Sequence, residues 1–259
     1  MYFIDVQGTL IDDIEKKPID GSIELIDKLN SKNIPYMVVT NNTKQKSENF
    51  LNYLNSVGLN ISMDNYLDPL QTLHEIGTKE LVAFGTDDFL SILKESGYKI
   101  DSRNPEAVLL GVKKDYSSDE FATAIENILE HNPKLIGMHG TSIYAKDGRR
   151  YPGVGAILKM IEFATGSTSS VIGKPSKIFY EKALHKLQKR YSREIKFSDI
   201  TMVSDDLTGD LVGAKEMGIS TIFVLSGKYK KAEEIVPKIP KEMRPNRVEK
   251  SVKEILKDI

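Results

Sequence analysis

No cysteine occurs among the 259 residues. That excludes disulfides, thiolate metal sites and cysteine nucleophiles, and it suits a reducing interior. Neither sign of charge dominates: 36 Lys and Arg stand against 37 Asp and Glu, a formal net charge of −1. A chain so balanced is not built for bulk electrostatic attachment to nucleic acid. No apolar run approaches the roughly 18–20 residues of a membrane helix, and Met1-Tyr2-Phe3-Ile4 meets Asp5 before a signal-peptide core could form. The expectation is a cytoplasmic protein whose partners include neither membrane nor nucleic acid. Histidine is scarce, and His74, His131 and His185 lack the paired spacing of a zinc site. His139 follows an apolar run and reads as a loop histidine rather than a substrate-facing group.

What is present is an alternation of short apolar runs with longer helical segments, the pattern of an α/β sheet. Tyr2 to Val6, Pro35 to Val39, Leu81 to Phe84, Ala107 to Leu110, Leu135 to Met138, Ile200 to Val203 and Thr221 to Leu225 read as strands. Between them, apolar residues recur at helical spacing, as in Ile23, Leu25, Ile26 and Leu29. Ser118 is placed to cap a helix running through Phe121, Ile125 and Leu129. Residues 77–169 form an α/β block of their own. The expected architecture is a doubly wound parallel-sheet core over 1–76 and 170–259 with an α/β cap inserted between. Lys228 to Pro245, rich in Lys, Glu and Pro, reads as surface, and Asn246 to Val248 as a short edge strand before a C-terminal helix.

Four polar clusters each stand just beyond an apolar strand: Asp5-Val6-Gln7-Gly8-Thr9, Thr40-Asn41-Asn42, Gly173-Lys174-Pro175, and Asp205-Asp206 with Asp210. In open parallel sheets, ligands bind outside the carboxyl ends of the strands. The chemistry of the set is matched. Asp5 offers a carboxylate able to attack phosphorus and split one displacement into two. Asp205 and Asp210 are hard oxygen ligands suited to Mg²⁺, which neutralises charge as an anionic nucleophile meets an anionic phosphate. Thr40 can donate hydroxyl and main-chain hydrogen bonds to phosphoryl oxygens, and Lys174 adds a point charge. Taken singly, each cluster also reads as a cap, a turn or a surface group; Asp206 reads either as a helper at the metal or as a turn residue.

The order Asp5…Thr40-Asn41…Lys174…Asp205-Asp206…Asp210 resembles the four motifs of the haloacid dehalogenase superfamily, and the long insert resembles its larger α/β cap. Thr40-Asn41-Asn42-Thr43 and Val171-Ile172-Gly173-Lys174-Pro175-Ser176 are similar to the NagD-like phosphatases. Leu135-Ile136-Gly137, Tyr144-Ala145-Lys146-Asp147-Gly148, Glu162-Phe163-Ala164-Thr165-Gly166 and Gly227-Lys228-Tyr229 resemble the phospholysine/phosphohistidine inorganic pyrophosphate phosphatase branch. The resemblance implies Asp5 as nucleophile and Mg²⁺ ligand, residue 7 as a ligand through its carbonyl, Asp205 as a carboxylate ligand and Asp210 at or near the metal. It implies Thr40 and Asn41, with Asn42 beside them, on the phosphoryl oxygens. Lys174 would steady Asp5 and the transferred group, and a cap would close over the crevice. Similar caps also serve as dimer contacts, so a homodimer is among the expectations.

One position departs from the pattern. The superfamily's second aspartate, a general acid and then base, is here Gln7. A carboxamide hydrogen-bonds but cannot cycle a proton near neutral pH. General acid–base catalysis contributes about 10²–10⁴-fold, and its loss weighs most on alkyl esters and least on good leaving groups. The expectation is therefore a Mg²⁺-dependent phosphohydrolase of small phosphorylated compounds that favours labile phosphoryl bonds and works through an aspartyl phosphate. Two alternatives stand beside it: a dehalogenase, which needs no Mg²⁺ and so leaves Asp205 and Asp210 unexplained, and a non-catalytic sensor or scaffold that binds phosphate ligands.

Overall fold

The computed structural model describes residues 1–146 and 149–259, without the side chains of residues 145 and 146. Asp147 and Gly148 of the motif beginning at Tyr144 lie outside the described residues. The elements in chain order are β1 (Tyr2–Ile4), α1 (Ser22–Ser31), β2 (Tyr36–Val39), α2 (Ser47–Ser56), β3 (Tyr66–Leu67), β4 (Leu81–Phe84), α3 (Asp87–Glu95), β5 (Ala107–Leu110), α4 (Ser118–His131) and β6 (Lys134–Gly137). There follow β7 (Ile143–Lys146), β8 (Arg149–Pro152), α5 (Val154–Thr165), β9 (Ser169–Val171), α6 (Lys177–Tyr191), β10 (Thr201–Ser204), α7 (Val212–Glu216), β11 (Ser220–Val224) and β12 (Arg247–Glu249). The chain divides into two compact units. One comprises Met1–Thr40, Glu48–Leu67 and Tyr180–Ile259, the other Asn41–Ser47 and Asp68–Phe179.

The first unit is built on a parallel sheet in the order β12-β11-β10-β1-β2-β3. Its central strands are buried on both faces, which is why they read as continuous apolar runs rather than alternating ones. Ile4, Val38, Val203 and Ile222 point to one face and pack with Leu25, Ile26 and Leu29 of α1 and Phe50, Leu51 and Leu54 of α2. Phe3 points to the other, where its ring stacks on Tyr180 of α6 with centroids 6.2 Å apart. Helices on both faces make the sheet doubly wound, as expected. From β1 the strand order grows through β2 and β3 in one direction and through β10, β11 and β12 in the other. The boundary between β1 and β10 is therefore the topological switch point, where doubly wound sheets open a crevice.

The second unit has a parallel sheet of its own, β4-β5-β6-β9, with α4 and α5 packed on one face through Ala124, Ile128, Val154, Ile157, Leu158 and Ile161. Phe89 and Leu93 of α3 pack on the other. This unit takes in more than residues 77–169. Ser169–Val171 pairs with β6 along Leu135–Gly137, and Asn41–Ser47 joins it, with Ser47 Oγ donating to Asp68 Oδ1 at 2.8 Å. Two local expectations change. Ser117, not Ser118, caps α4: its extended backbone lets Oγ accept from Glu120 N at 3.1 Å while the Glu120 carboxylate takes the Ser117 N–H at 2.8 Å, so Ser118 is already the first helical residue. The antiparallel β7–β8 hairpin was not expected at all. β12 is the anticipated edge strand, followed by 3₁₀ turns over Val252–Asp258 rather than an α-helix. Among the described residues no helix is long and apolar enough to cross a membrane.

Candidate active site

β1 and β10 lie side by side in register, Ile4 against Val203, so the residues that follow them emerge together. Asp5 comes directly after β1 and donates its main-chain N–H to Val203 O at 2.9 Å. Asp205 comes directly after β10. Both carboxylates are buried, at 6% and 1% exposure. Thr9 joins them: its Oγ1 accepts the Asp205 N–H at 3.1 Å and lies 3.5 Å from Asp5 Oδ2, to which it donates. The turn that returns Thr9 to the strand end is closed by Gly8 N to Ile11 O at 2.7 Å and Leu10 N to Val6 O at 2.8 Å.

Two glycines allow the backbone to crowd Asp205. Gly8 has φ +76°, a conformation that costs a side-chain-bearing residue, and a Cβ there would overlap the Asp205 carboxylate carbon at 2.5 Å. A Cβ on Gly227 would fall within the same carboxylate and 2.7 Å from Gly8 Cα. Between them Asp205 Oδ2 accepts the Lys228 N–H at 2.8 Å. Burial, and then the charge of Asp5, push the Asp205 carboxyl well above the usual carboxylate range, against the pull of Lys228.

The other acids of the cluster are held differently. Asp210 is buried, and its Oδ2 accepts from Ser204 Oγ at 2.7 Å, while its carbonyl takes the Tyr180 hydroxyl at 3.1 Å. Burial, with the charges of Asp210, Asp5 and Asp206 added, raises the Tyr180 phenol far above its ordinary value. Asp206 begins the turn after β10. Its Oδ1 accepts from Gly209 N at 2.9 Å, its N–H donates to Ser204 Oγ at 3.0 Å, and its Oδ2 pairs with the Lys228 ammonium. Lys228, within the stretch expected to be surface, thus turns inward. Ser204, Tyr180 and Lys228 were missed as site residues, Lys228 having figured only in the Gly227-Lys228-Tyr229 resemblance, and Thr9 had been named only as the last member of the first polar cluster.

Gln7 is partly exposed in the same unit, and its Oε1 accepts from Thr40 Oγ1 at 2.9 Å. Of the two donors expected from Thr40, the main-chain N–H goes instead to Leu67 O at 3.1 Å, in the sheet. Asn41, Asn42 and Lys174 belong to the second unit. Asn41 Oδ1 accepts the Lys174 N–H at 3.0 Å, and its Nδ2 donates to Thr141 Oγ1 at 3.4 Å. Lys174 is almost wholly buried, at 2% exposure. Asn42 donates to Gln45 O at 2.9 Å and to Asp68 Oδ2 at 3.5 Å, bonds that shape the loop after β2. His139, after β6, is buried.

Two family models match the chain: one for haloacid dehalogenase-like hydrolases over residues 2–99, the other described as HAD-hydrolase-like over residues 171–255. The chain belongs to the haloacid dehalogenase-like hydrolases. It is 27% identical over 264 residues to the acid sugar phosphatase of Staphylococcus saprophyticus, covering 100% of this chain and 97% of that one. Its fold is that of the p-nitrophenyl phosphatase of Archaeoglobus fulgidus, with TM-score 0.84 and 22% identity over 100% of this chain and 98% of the other. It is likewise that of NagD from E. coli, with TM-score 0.77 and 22% identity over 98% and 96%. The expected likeness to NagD is met in the fold, and none of these relatives bears on the expected pyrophosphate phosphatase branch.

The donor set fits a divalent cation. Two buried carboxylates raise each other's cost of ionisation, and hard oxygens are what Mg²⁺ selects. Among the described residues no three Asp, Glu or His side chains stand at metal-holding spacing.

Proposed function

We propose that this chain is a Mg²⁺-dependent phosphohydrolase of small phosphorylated compounds, with Asp5 as nucleophile and a preference for good leaving groups. The observation that carries the reading is the pair Asp5 and Asp205, buried at the ends of adjacent strands at the switch point and joined through Thr9. Family membership supports hydrolysis. The names of the acid sugar phosphatase and the p-nitrophenyl phosphatase support small phosphate monoesters as the substrate class.

Asp5, Asp205 and the main-chain carbonyl of Gln7 would hold the cation, with Asp210 one step behind. When bound, Mg²⁺ supplies charge neutralisation at the phosphoryl oxygens. An Asp5 oxygen attacks phosphorus; the bond from phosphorus to the leaving oxygen breaks, and its electron pair departs with the leaving group. Water then attacks the aspartyl phosphate, and the Asp5–phosphorus bond breaks to release phosphate and the free carboxylate. Thr9 restrains the Asp5 carboxylate through both steps. Gln7 has its carbonyl oxygen engaged by Thr40, which leaves its amide N–H groups to act as donors in the proposed reaction. They orient oxygens but take up no proton. The roles of Lys174 and Asn41, charge and hydrogen bonds for the phosphoryl group, rest on motif order.

A screen of p-nitrophenyl phosphate, pyrophosphate, acyl phosphates, N-phosphates and sugar phosphates, with Mg²⁺ and with EDTA, tests the proposal. Turnover with Mg²⁺ that is lost on chelation is expected, strongest for the labile substrates. No hydrolysis of any of them, or hydrolysis indifferent to EDTA, overturns it.

A further inference from the structure

Lys228 belongs to none of the four motifs, yet it engages the acid cluster twice. Its main-chain N–H donates to Asp205 Oδ2 at 2.8 Å, and its ammonium pairs with Asp206. The two contacts have different chemical dependence. The first belongs to the backbone and survives any side-chain replacement except proline. The second is a charge. The ammonium places a positive charge beside a candidate ligand, and Asp206, held by Gly209 N and Ser204 Oγ, is its ion-pair partner.

We propose that Lys228 and Asp206 form a charge-balancing pair that sets the divalent-cation affinity of the site, while the Lys228 main chain independently positions Asp205. The inference rests on the Mg²⁺ reading above. With the pair intact, its two charges largely cancel at the cation. Removing the ammonium takes away one positive charge and deepens the negative field. Removing the carboxylate leaves the ammonium unopposed and repels the cation. A unit charge a few ångströms from a divalent ion shifts its affinity by roughly tenfold or more even under strong dielectric screening. Lys228 is a positioning residue in this scheme: it acts through Asp205 and Asp206 and touches no reacting atom.

The experiment is direct cation binding, read by calorimetry for Mg²⁺ and by the electron paramagnetic resonance signal of free Mn²⁺. It compares the wild type with Lys228→Met, Asp206→Asn and the double variant. Lys228→Met should bind roughly tenfold tighter and Asp206→Asn roughly tenfold weaker, with the double variant returning close to wild type. A purely structural role predicts otherwise: both single variants bind more weakly, and the double variant no better. That result, or unchanged affinity throughout, overturns the proposal. If Lys228→Met fails to fold, the polar Lys228→Gln takes its place and must bind the cation more tightly than wild type, since Asp206→Asn weakens binding under either role. A wild type that binds neither Mg²⁺ nor Mn²⁺ removes the cation reading itself, a failure distinguishable from the others.

Discussion

Thr40 Oγ1 donates to Gln7 Oε1 at 2.9 Å, so the side chain in the place of a general acid is anchored by its acceptor oxygen. A leaving oxygen can receive a hydrogen bond from Gln7 but no proton, and its own basicity should control the rate. Across phosphates of graded leaving-group pKa, kcat/KM for the wild type should fall steeply. Gln7→Asp should flatten the slope by speeding alkyl esters within the ~10²–10⁴-fold range of such catalysis. Equal shallow slopes in both proteins would mean that another group supplies the proton.

Asp5→Asn preserves size and much of the hydrogen bonding but removes the proposed nucleophile. Turnover should drop by roughly 10⁴-fold or more, the scale seen when a covalent catalyst loses its attacking group. Circular dichroism should show the fold retained. Near wild-type turnover in a folded Asp5→Asn protein would end the phospho-aspartate mechanism.

Gly227→Ala probes the crowding around Asp205. The added methyl would meet that carboxylate and stand 2.7 Å from Gly8 Cα, so either Asp205 or the backbone must shift. Overpacking of this kind costs about 1–3 kcal/mol, to be read as a lower denaturation midpoint. The Mg²⁺ concentration giving half-maximal activity should rise with it. A variant matching wild type in both would show that the space yields without disturbing Asp205.

Stripping divalent ions should abolish activity and lower the melting temperature, and Mg²⁺ should restore both. Binding to the native state alone stabilises by about 2.7 kcal/mol at a hundredfold excess over Kd. Differential scanning fluorimetry across a Mg²⁺ series checks this; a flat melting temperature would contradict a cation shared by Asp5 and Asp205.

The core strands were legible because a parallel sheet buries both faces, so Phe3 and Ile4, or Met37 and Val38, appear as uninterrupted apolar runs. The strand ends were legible for the same reason, each run stopping at a polar cluster, and this located Asp5, Thr40 and Asp205. The β7–β8 hairpin was not, because its apolar face is a single pair of stacked rings, Tyr144 and Tyr151, set among Arg149, Arg150 and the half-exposed Ile143. Lys228 was hidden in a stretch whose composition spells surface; what turns it inward is a carboxylate 22 positions earlier, a relation no local pattern encodes. Asn42 illustrates the opposite limit. It sits beside Asn41 in the motif, yet its amide is taken up by Gln45 and Asp68 in shaping the loop.

The placement of β1 between β2 and β10 has a consequence for how the molecule is made. β2 follows β1 closely along the chain, whereas the partner on its other side arrives only after the whole second unit has been synthesised. Until Val203 leaves the ribosome, the amide of Asp5 has no strand to bond, and one edge of β1 stands open with Phe3 and Ile4 upon it. Open apolar edges recruit other strands, and pairings between distant segments close slowly. The nascent chain should therefore pass through a prolonged interval in which Asp5 is made but Asp205 is not and the chain is most prone to aggregate, before β10 covers the open edge of β1 and β11 and β12 extend the sheet.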